Sequence, residues 1–535
     1  MNTALGTVVA GSLSEGLTVR INPGIALEHI KTGKFLTVEC PPYKFFSLVT
    51  DLRLEVTHPD IVLFPPTEGE TLLRNSLLQR HVYMTAHIKP MLMLDAHGRI
   101  VPVKTIPGHF SSVFSAQAAD IALIFGDEHE ASRRYFNVGT PLDMPTPVCI
   151  DLDRLTERSN GIFGKTGTGK TFLTRVVLAG LIKQQKAVNL IFDMHGEYGI
   201  QARREGAGQS FVKGLKSLFP DKVVIFSLDP TSTRRRGGAP DVIITLPYQA
   251  IGVEDILSLQ SELNLHSTAL EAAHLIAARY KNDWLSMLLS SGDRLKEFAN
   301  ELGAHPESIA ALYRKIKRVE RLPFFSSTPQ GFENVIDQLM GYLARGINVI
   351  IEFGNYNSAF CYLLIANIIT RRIHEEYVAR TERFLGSQRL QDEPQKLMIT
   401  IEEAHKFLNP QAASQTIFGV IAREMRKYYV SLLVVDQRPS GIDSEILSQI
   451  GTKIVAQLND EKDIAAVLTG TSNAVHMRTV LASLDSKKQA LLLGHAVPMP
   501  VVVQTREYDE AFYQAMNAHQ ALDTLQAQQV IDELF

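Results

Sequence analysis

The segment that most constrains the fold is residues 164–171, which read Gly-Lys-Thr-Gly-Thr-Gly-Lys-Thr and fit the pattern G-x-x-x-x-G-K-[ST]. A short apolar run, Gly161 to Phe163, precedes it, and a helix-compatible run, Phe172 to Leu178, follows it. The glycines let backbone N–H groups approach phosphate oxygens, and the helix N-terminus adds a partial positive charge. This order of strand, loop and helix predicts an α/β domain that binds ATP.

Two side chains of this loop carry the expected chemistry. Lys170 is placed to reach the β- and γ-phosphates, and the Thr171 hydroxyl to bind Mg²⁺. The loop and the residue after it supply the expected ATP contacts: Gly164, Lys165, Thr166, Gly167, Thr168, Gly169, Lys170, Thr171 and Phe172.

An acidic motif follows a second apolar run, Leu397 to Ile401. ATP hydrolysis needs a carboxylate near Mg²⁺ and a group that activates the attacking water. We assign the first role to Glu402 and the second to Glu403. The alternative is that both acids stabilise the first turn of the next helix. Asp is commoner at the first position, so the extra methylene of Glu402 alters the expected metal geometry.

Polar side chains also follow two other predicted strands. Asp193 ends the run Val188 to Phe192, and Gln437 follows the run Leu432 to Val435. Ligands of open α/β sheets bind at the carboxyl edge of the strands. We therefore expect Asp193 to hold the water shell of Mg²⁺ and Gln437 to sense the γ-phosphate. A turn-forming role for residues 436–440 is the alternative.

The chain divides by pattern into several predicted domains. Residues 1–130 contain short apolar or alternating runs punctuated by Gly and Pro, such as Leu17 to Ile21 and Lys34 to Val38, which favour a small β-barrel or sandwich. Asp60 to Pro66 and Ile88 to Leu94 are each interpreted there as a strand with a Pro-marked turn.

Residues 131–250 and 323–503 alternate strand-like and helical runs, which predicts a mainly parallel sheet covered by helices. Residues 251–322 are predicted to be a helical insertion, and residues 504–535 a helical tail or brace. The predicted buried strands are Gly161–Phe163, Val188–Phe192, Val223–Phe226, Val349–Phe353, Leu397–Ile401, Leu432–Val435 and Ala490–Leu493.

Composition excludes few classes of function. The net charge of −3 neither supports nor opposes a DNA partner, and the cysteines, Cys40, Cys149 and Cys361, lack metal-ligand spacing. The apolar stretch Phe360 to Ile369 is far shorter than the ~20 residues of a spanning helix, so it predicts a buried helix. With no secretory signal in the sequence, we expect a cytoplasmic protein without membrane contact.

The motifs together resemble the HerA family of hexameric DNA translocases, within the RecA/FtsK-like ATPases. Besides the phosphate loop, the matching segments are Asp193–Tyr198, Ile401–His405, Ile421–Lys427 and Gln437–Ser440. The pieces Asp-x-His-Gly-Glu-Tyr and Gln-Arg-Pro-Ser are more specific than the phosphate loop. The resemblance implies an α/β RecA-like P-loop ATPase core with an N-terminal small β-barrel and an inserted helical subdomain.

The resemblance also implies a homo-hexameric ring around double-stranded DNA, with ATP at each subunit boundary and an arginine finger from the neighbouring subunit. Arg426 is the first candidate for this finger and Arg423 the second, since the two share one face of a predicted helix. The family has Gly where Met425 stands, which changes how closely that helix approaches its neighbour. Arg158 resembles the family's upstream nucleotide-contacting arginine, and a solvated turn residue is the alternative.

Two basic segments are candidates for DNA contact, because a translocase grips phosphates through basic loops. Residues 231–238 contain three consecutive arginines, and residues 314–321 contain five basic side chains. A surface loop is the alternative for the first segment, and a solvated helix face for the second.

Two functions follow from the resemblance. The first is an ATP-hydrolysing DNA translocase or helicase that acts with a partner nuclease, of the NurA type, or another effector in DNA processing or antiphage defence. The alternative is an ATP-bound ring that assembles and gates a nuclease or NADase effector without processive translocation.

Overall fold

The structure is a computed structural model that describes residues 3–25, 30–203, 211–326, 332–413, 416–471, 474–485 and 488–517. The chain forms two compact units. Unit 1 comprises Met1–Leu155, Ile162–Leu173 and Gly451–Glu507. Unit 2 comprises Thr156–Gly161, Thr174–Ile450 and Tyr508–Phe535.

Unit 1 begins with a closed antiparallel barrel. Its strands are β1 Gly6–Ser12, β2 Gly16–Ile21, β3 Phe35–Cys40, β4 Tyr43–Val56, β5 Val82–Leu94, β6 Ile100–Pro102 and β7 Ser112–Ser115. The neighbour order is β2-β1-β7-β3-β4-β5, the pairing of β2 with β5 closes the ring, and β6 adds to β5. Alternate side chains fill the interior, with Val19, Leu36 and Ile88 fully buried. The predicted N-terminal barrel is confirmed.

The segment between β4 and β5 differs from its prediction. Asp60–Leu63 forms the short helix α1, and Thr71–Arg80 forms α2, so the strand predicted at Asp60 to Pro66 is wrong. Pro59 has φ −59° and ψ −31°, which directs the chain into a helical turn. Val62 and Leu63 are largely exposed, so no burial favours an extended conformation. The other predicted run, Ile88 to Leu94, does lie in a strand, β5.

The chain then leaves the barrel and reaches the phosphate loop. The elements are α3 Ala118–Phe125, β8 Tyr135–Pro141, β9 Val148–Asp151, α4 Leu152–Leu155, β10 Asn160–Phe163 and α5 Lys170–Gln184. The boundary between the two units runs through β10, whose first two residues belong to unit 2.

Unit 2 contains the parallel sheet and its helices. The strands are β11 Val188–Asp193, β12 Gln201–Arg203, β13 Phe211–Lys213, β14 Val223–Ser227, β15 Val242–Ile243, β16 Leu246–Pro247, β17 Phe325–Ser326, β18 Asn348–Glu352, β19 Leu397–Glu402 and β20 Val430–Asp436. The helices are α6 Leu215–Leu218, α7 Pro230–Arg235, α8 Val253–Leu257, α9 Gln260–Leu263, α10 Ser267–Tyr280, α11 Trp284–Ser290, α12 Leu295–Leu302, α13 Pro306–Ile316, α14 Phe332–Ala344, α15 Ala359–Ser387, α16 His405–Leu408, α17 Ile417–Glu424 and α18 Ser444–Gln449.

The main sheet of unit 2 has the order β15-β14-β18-β11-β19-β20-β10, and its pairings from β15 to β20 are parallel. Strands β11, β14, β18, β19 and β20 are buried along their whole length, as expected for a sheet covered on both faces. Parallel pairing aligns their carboxyl ends, so Asp193, Glu352, Glu402 and Asp436 end neighbouring strands at one edge. The predicted α/β core is confirmed.

Helices α8 to α13 lie between β16 and β17, where the sequence predicted a helical insertion. Trp284, Leu285 and Leu312 are buried within this group. The predicted buried helix Phe360 to Ile369 lies in α15 and is confirmed. No helix in the described part of the chain combines the length and apolar character needed to span a membrane.

Unit 1 is completed by β21 Thr452–Val455, α19 Glu461–Val467, α20 Ala474–Ala482, β22 Gln489–Gly494 and β23 Val501–Thr505. The order β10-β21-β22-β23-β8-β9 is antiparallel from β21 onward. In the predicted tail, residues 510–517 are helical in unit 2, and residues 518–535 lie outside the described residues.

Candidate active site

The phosphate loop of unit 1 joins β10 to α5, as the sequence predicts. Gly167 and Gly169 have φ values of 80° and 87°, in the left-handed region that side-chain-bearing residues rarely adopt. A Cβ atom at either position would meet no atom of the described residues within 4 Å. The backbone conformation, not lack of space, therefore requires glycine, and the face of the loop is open for a ligand.

Contacts within unit 1 fix the shape of this loop. The backbone N–H of Lys165 donates to the Gln457 carbonyl at 3.0 Å, and Lys165 Nζ donates to Asn459 Oδ1 at 3.3 Å. Thr168 Oγ1 and Lys170 Nζ both donate to the Lys165 carbonyl, at 2.7 and 2.9 Å. The Lys170 ammonium thus lies against the loop backbone. No motif in the sequence predicts a role for residues 457 and 459, which follow β21 nearly three hundred positions later.

The remaining predicted nucleotide contacts flank the loop. Thr166 is exposed, Thr171 and Phe172 are half-buried in the first turn of α5, and Gly164 follows the buried strand β10. A Cβ at Gly164 would come within 2.8 Å of Ala456 Cβ, so space as well as conformation selects glycine there. Arg158 belongs to unit 2 and is exposed.

In unit 2, Asp193 is fully buried at the end of β11. Its Oδ1 accepts the backbone N–H of Glu197 and its Oδ2 that of Tyr198, both at 2.8 Å. Burial raises the pKa of this carboxyl group, and the two backbone donors oppose that shift. Asp193 therefore organises the turn that follows β11, while it remains a predicted ligand of the Mg²⁺ water shell.

Glu402 ends β19 and is held by two tyrosines. Tyr198 Oη donates to Glu402 Oε1 at 2.9 Å. The Tyr362 hydroxyl accepts the Glu402 N–H at 3.1 Å and donates to the Glu402 carbonyl at 3.2 Å. Burial first, and then the negative charges of Asp193 and Glu197, raise the pKa of Glu402 to about 8. Its Oε2 is buried and has no hydrogen-bond partner among the described residues.

Glu352 is a third buried acid at this edge, and no sequence motif predicted its role. It pairs with Asp193 in parallel register at the end of β18. Its Oε2 accepts from Arg236 Nη2 at 2.6 Å and from Thr233 Oγ1 at 2.8 Å. Burial and the charge of Asp193 raise its pKa. Glu352 is the last residue of a buried apolar strand, as Glu402 is. This position is the sequence feature that could have predicted it.

The structure of residues 231–238, which include Arg236, differs from the predicted basic loop. The segment is not an irregular loop, because α7 begins after Asp229, whose side chain accepts the Ser232 N–H. Arg236 turns toward Glu352 and the Gly196 carbonyl, whereas Arg234 and Arg235 are exposed. The second basic segment has an exposed face that includes Arg314, Lys317, Arg318 and Arg321.

Glu403 follows β19 with a φ of 50°, a left-handed conformation that is strained for a glutamate and typical of functional sites. Gln437 Nε2 donates to Glu403 Oε1 at 2.9 Å, so the predicted base and the predicted γ-phosphate sensor lie together. His405 Nδ1 lies 3.0 Å from Asp436 Oδ2 and 3.8 Å from Glu403 Oε2. The hydrogen bond to Asp436 raises the pKa of His405.

Sequence comparison places these features in a known family. The "DNA double-strand break repair helicase HerA" of Saccharolobus solfataricus is 37% identical over 492 residues, which cover 90% of this chain and 88% of the relative. This chain belongs to the HerA family. The family model for the central domain of helicase HerA matches residues 136–373.

Other matches have lower sequence identity. The HerA helicase of Sulfurisphaera tokodaii is 24% identical over 520 residues, covering 94% of this chain and 93% of the relative. Among solved structures, the bacterial conjugative coupling protein TrwB matches 74% of this chain and 93% of its own, with 12% identity and a TM-score of 0.48.

The HerA-type arginine candidates lie in different elements. Arg423 is in α17, where Nη1 donates to the Ala413 carbonyl at 3.1 Å and Nε lies 3.4 Å from Glu445 Oε2. Arg426 falls in a 3₁₀ turn, Met425–Tyr428, and its side chain lies outside the described residues. The single helix predicted for both is therefore wrong, because the helical geometry tightens after Glu424.

The predicted Mg²⁺ ligands are Thr171 in unit 1 and Asp193 and Glu402 in unit 2. Within the described ranges, no group of three or more His, Cys, Asp or Glu side chains is arranged to hold a metal ion. Within unit 2, the carboxylates of Asp193 and Glu402 nevertheless suit Mg²⁺, because hard carboxylate oxygens are among its preferred ligands and it usually retains several waters. The buried, unpartnered Glu402 Oε2 is consistent with that role.

Proposed function

We propose that this protein is an ATP-hydrolysing, DNA-dependent translocase or helicase. Membership of the HerA family supports this proposal, since the relatives from Saccharolobus solfataricus and Sulfurisphaera tokodaii are named DNA double-strand break repair helicases. The observation that carries it is the pair Glu402 and Glu403 at the end of a buried strand, with Glu403 bonded to Gln437. A phosphate loop explains nucleotide binding alone, whereas a positioned base explains hydrolysis.

The phosphate loop binds the nucleotide in this proposal. Backbone N–H groups around Gly167 and Gly169 and the N-terminus of α5 stabilise the phosphates, and Lys170 exchanges the Lys165 carbonyl for phosphate oxygens. Thr171, Asp193 and Glu402 would hold Mg²⁺, partly through water. When bound, Mg²⁺ neutralises negative charge on the β- and γ-phosphate oxygens.

Glu403 acts as the general base. Gln437 occupies Glu403 Oε1, so Oε2 remains to accept a proton from the attacking water. The water oxygen bonds to the γ-phosphorus as the bond between that phosphorus and the β–γ bridging oxygen breaks, which yields ADP and inorganic phosphate. The hydrogen bond from Gln437 fixes the carboxylate orientation and thereby the direction of attack.

We further propose that six copies form a ring and that Arg426, or failing it Arg423, enters the site of the adjacent subunit. An arginine finger in well-studied NTPases raises the rate ~10³-fold or more. Arg423 donates a hydrogen bond to the Ala413 carbonyl and lies near Glu445, so it stays the second candidate. Exposed arginines of α7, Arg234 and Arg235, are the proposed duplex-DNA contacts.

The test is ATP turnover with and without duplex DNA for wild type, Lys170→Ala and Arg426→Ala. We expect DNA to stimulate wild-type turnover and each variant to lose ~10²–10³-fold. Lys183→Ala, in the last turn of the same helix as Lys170, is the matched control and should retain turnover. Mixing the two inactive variants should restore part of the activity, since intact sites form where residues of different subunits meet. If duplex DNA at low salt does not change the rate of ATP turnover, the proposed DNA-dependent motor function is wrong.

The finer proposal is that the motor serves a nuclease of the NurA type, an NADase or another effector in DNA processing or antiphage defence. Copurification followed by an effector assay tests it. A motor role predicts that Glu403→Gln, which retains ATP without hydrolysing it, abolishes effector output. Full effector output with Glu403→Gln would instead favour the ring that gates its partner without translocation.

A further inference from the structure

Tyr198 connects the two acids predicted to hold the Mg²⁺ shell. Its backbone N–H donates to Asp193 Oδ2 at 2.8 Å, and its hydroxyl donates to Glu402 Oε1 at 2.9 Å. The side chain is fully buried, as is Asp193. One residue thus bonds to both acids, although Tyr198 and Glu402 are 204 positions apart.

The turn after β11 determines where Tyr198 lies. Gly196 has a φ of 69°, a left-handed conformation that favours glycine, and a Cβ there would force the Arg236 guanidinium, whose Nη1 would lie 1.8 Å away, to move. Arg175 donates from Nε to the Glu197 carbonyl at 3.0 Å and also from Nη2. The turn is therefore held on both sides, by Arg236 at Gly196 and by Arg175 at Glu197. This leaves the Tyr198 phenol directed at β19.

The hydrogen bond from Tyr198 distinguishes the two oxygens of Glu402. Oε1 is occupied, while Oε2 is buried without a partner in the described part of the chain. Buried carboxylate oxygens without partners are rare in folded proteins, and a bound ligand is one of the accepted explanations. Glutamate also has one more rotatable bond than aspartate, so a fixed donor is needed to select a single carboxylate orientation.

We propose that Tyr198 is a positioning residue for Glu402, holding Oε1 in place so that Oε2 is the oxygen left for the Mg²⁺ water shell. The inference rests on the proposed ATPase function. It assigns to the last residue of the Asp-x-His-Gly-Glu-Tyr motif a role in metal affinity rather than in folding alone.

The experiment removes only the hydroxyl, with Tyr198→Phe in a Glu403→Gln background that binds nucleotide without turnover. The measured quantity is the Mg²⁺ concentration that gives half-maximal binding of a fluorescent ATP analogue. Loss of an outer-shell partner typically costs ~10–100-fold in metal affinity, so the Mg²⁺ midpoint should rise by that factor. Nucleotide binding in EDTA should not change.

Tyr377→Phe is the matched control, because Tyr377 is also buried, in α15, and loses the same hydroxyl away from the acids. A purely structural role for Tyr198 predicts lower thermal stability with the Mg²⁺ midpoint unchanged, and that result would overturn the proposal. Tyr198→Phe should also have no further effect on the midpoint in a Glu402→Gln protein, since the hydrogen bond acts through that carboxylate. An additional shift there would count equally against it.

The two levels of proposal fail in different ways. If the Glu403→Gln protein binds no nucleotide with or without Mg²⁺, the ATPase proposal fails. If it binds Mg²⁺–nucleotide normally and Tyr198→Phe leaves the midpoint in place, only the positioning role fails.

Discussion

The side-chain amide of Gln437 donates a 2.9 Å hydrogen bond to Oε1 of Glu403. The two residues follow adjacent parallel strands, β20 and β19, so the sheet itself brings them together. Glu403 adopts a left-handed backbone conformation at this point, which costs free energy and is retained where surrounding contacts enforce it. The contact between Gln437 and Glu403 is therefore enforced by the fold around it.

Gln437→Ala should lower kcat for DNA-stimulated ATP hydrolysis ~10–100-fold, because the freed Glu403 carboxylate no longer holds one orientation toward water. KM for ATP should change little, since the hydrogen bond from Gln437 goes to the base, Glu403. Steady-state turnover measures both quantities. Gln449→Ala, at an exposed position in α18, is the control. Unchanged kcat in Gln437→Ala would remove the orienting role.

Gly167→Ala and Gly169→Ala should each destabilise the protein by ~1–2 kcal/mol, because a Cβ makes the left-handed conformation costly. No atom in the described part of the chain lies within 4 Å of either Cβ position, so no steric clash with those residues adds to this figure. Gly341, inside α14, provides a control of opposite sign, since Ala there should stabilise the helix by ~0.5–1 kcal/mol. Chemical unfolding of the three variants measures the differences. Equal effects of all three would contradict the conformational argument.

Arg236→Ala should destabilise unit 2 by about 3 kcal/mol, because it leaves the buried carboxylate of Glu352 without its cation. Adding Glu352→Gln should recover much of this loss, since a neutral amide has a far smaller desolvation cost. Denaturant unfolding of the single and double variants measures the coupling. If the losses of unfolding free energy in the two single variants add up to the loss in the double variant, Arg236 does not stabilise the protein through its ion pair with Glu352.

The contact between His405 and Asp436 should make stability depend on pH. The pKa of His405 is raised from 6.5 in the folded protein, so the protonated ring binds Asp436 favourably. This stabilisation is fully present below pH 6.5 and is lost as the pH rises through the raised folded-state pKa. The difference in Tm between wild type and His405→Asn should therefore be larger at about pH 5.5 than at about pH 9. The same difference at both values would rule out the linkage.

Local pattern was sufficient for the phosphate loop and the main strands. The loop depends on the conformation of its glycines and on a strand and a helix that flank it within a few residues. All of these features are adjacent in the sequence, so a local motif is enough to predict them. The runs that begin at Val188, Leu397 and Leu432 are apolar because both faces of a parallel sheet are covered by helices. Such strands appear in a sequence as continuous hydrophobic runs. Local pattern failed at Asp60 to Pro66, where apolar residues lie exposed in a helix.

The tertiary structure alone decided which polar groups meet at the carboxyl edge. The order β18-β11-β19-β20 places Glu352 beside Asp193, and it brings Tyr198 to Glu402 across 204 positions. These pairs cannot be predicted from the spacing of residues in the sequence. The order of strands in the sheet depends on how the helices pack and differs from the order of strands along the chain. The sequence by itself determined that a nucleotide-binding loop and a strand ending in two acids exist. The fold determined that the first acid is held by Tyr198 and the second by Gln437, since a hydrogen bond depends on distance in space.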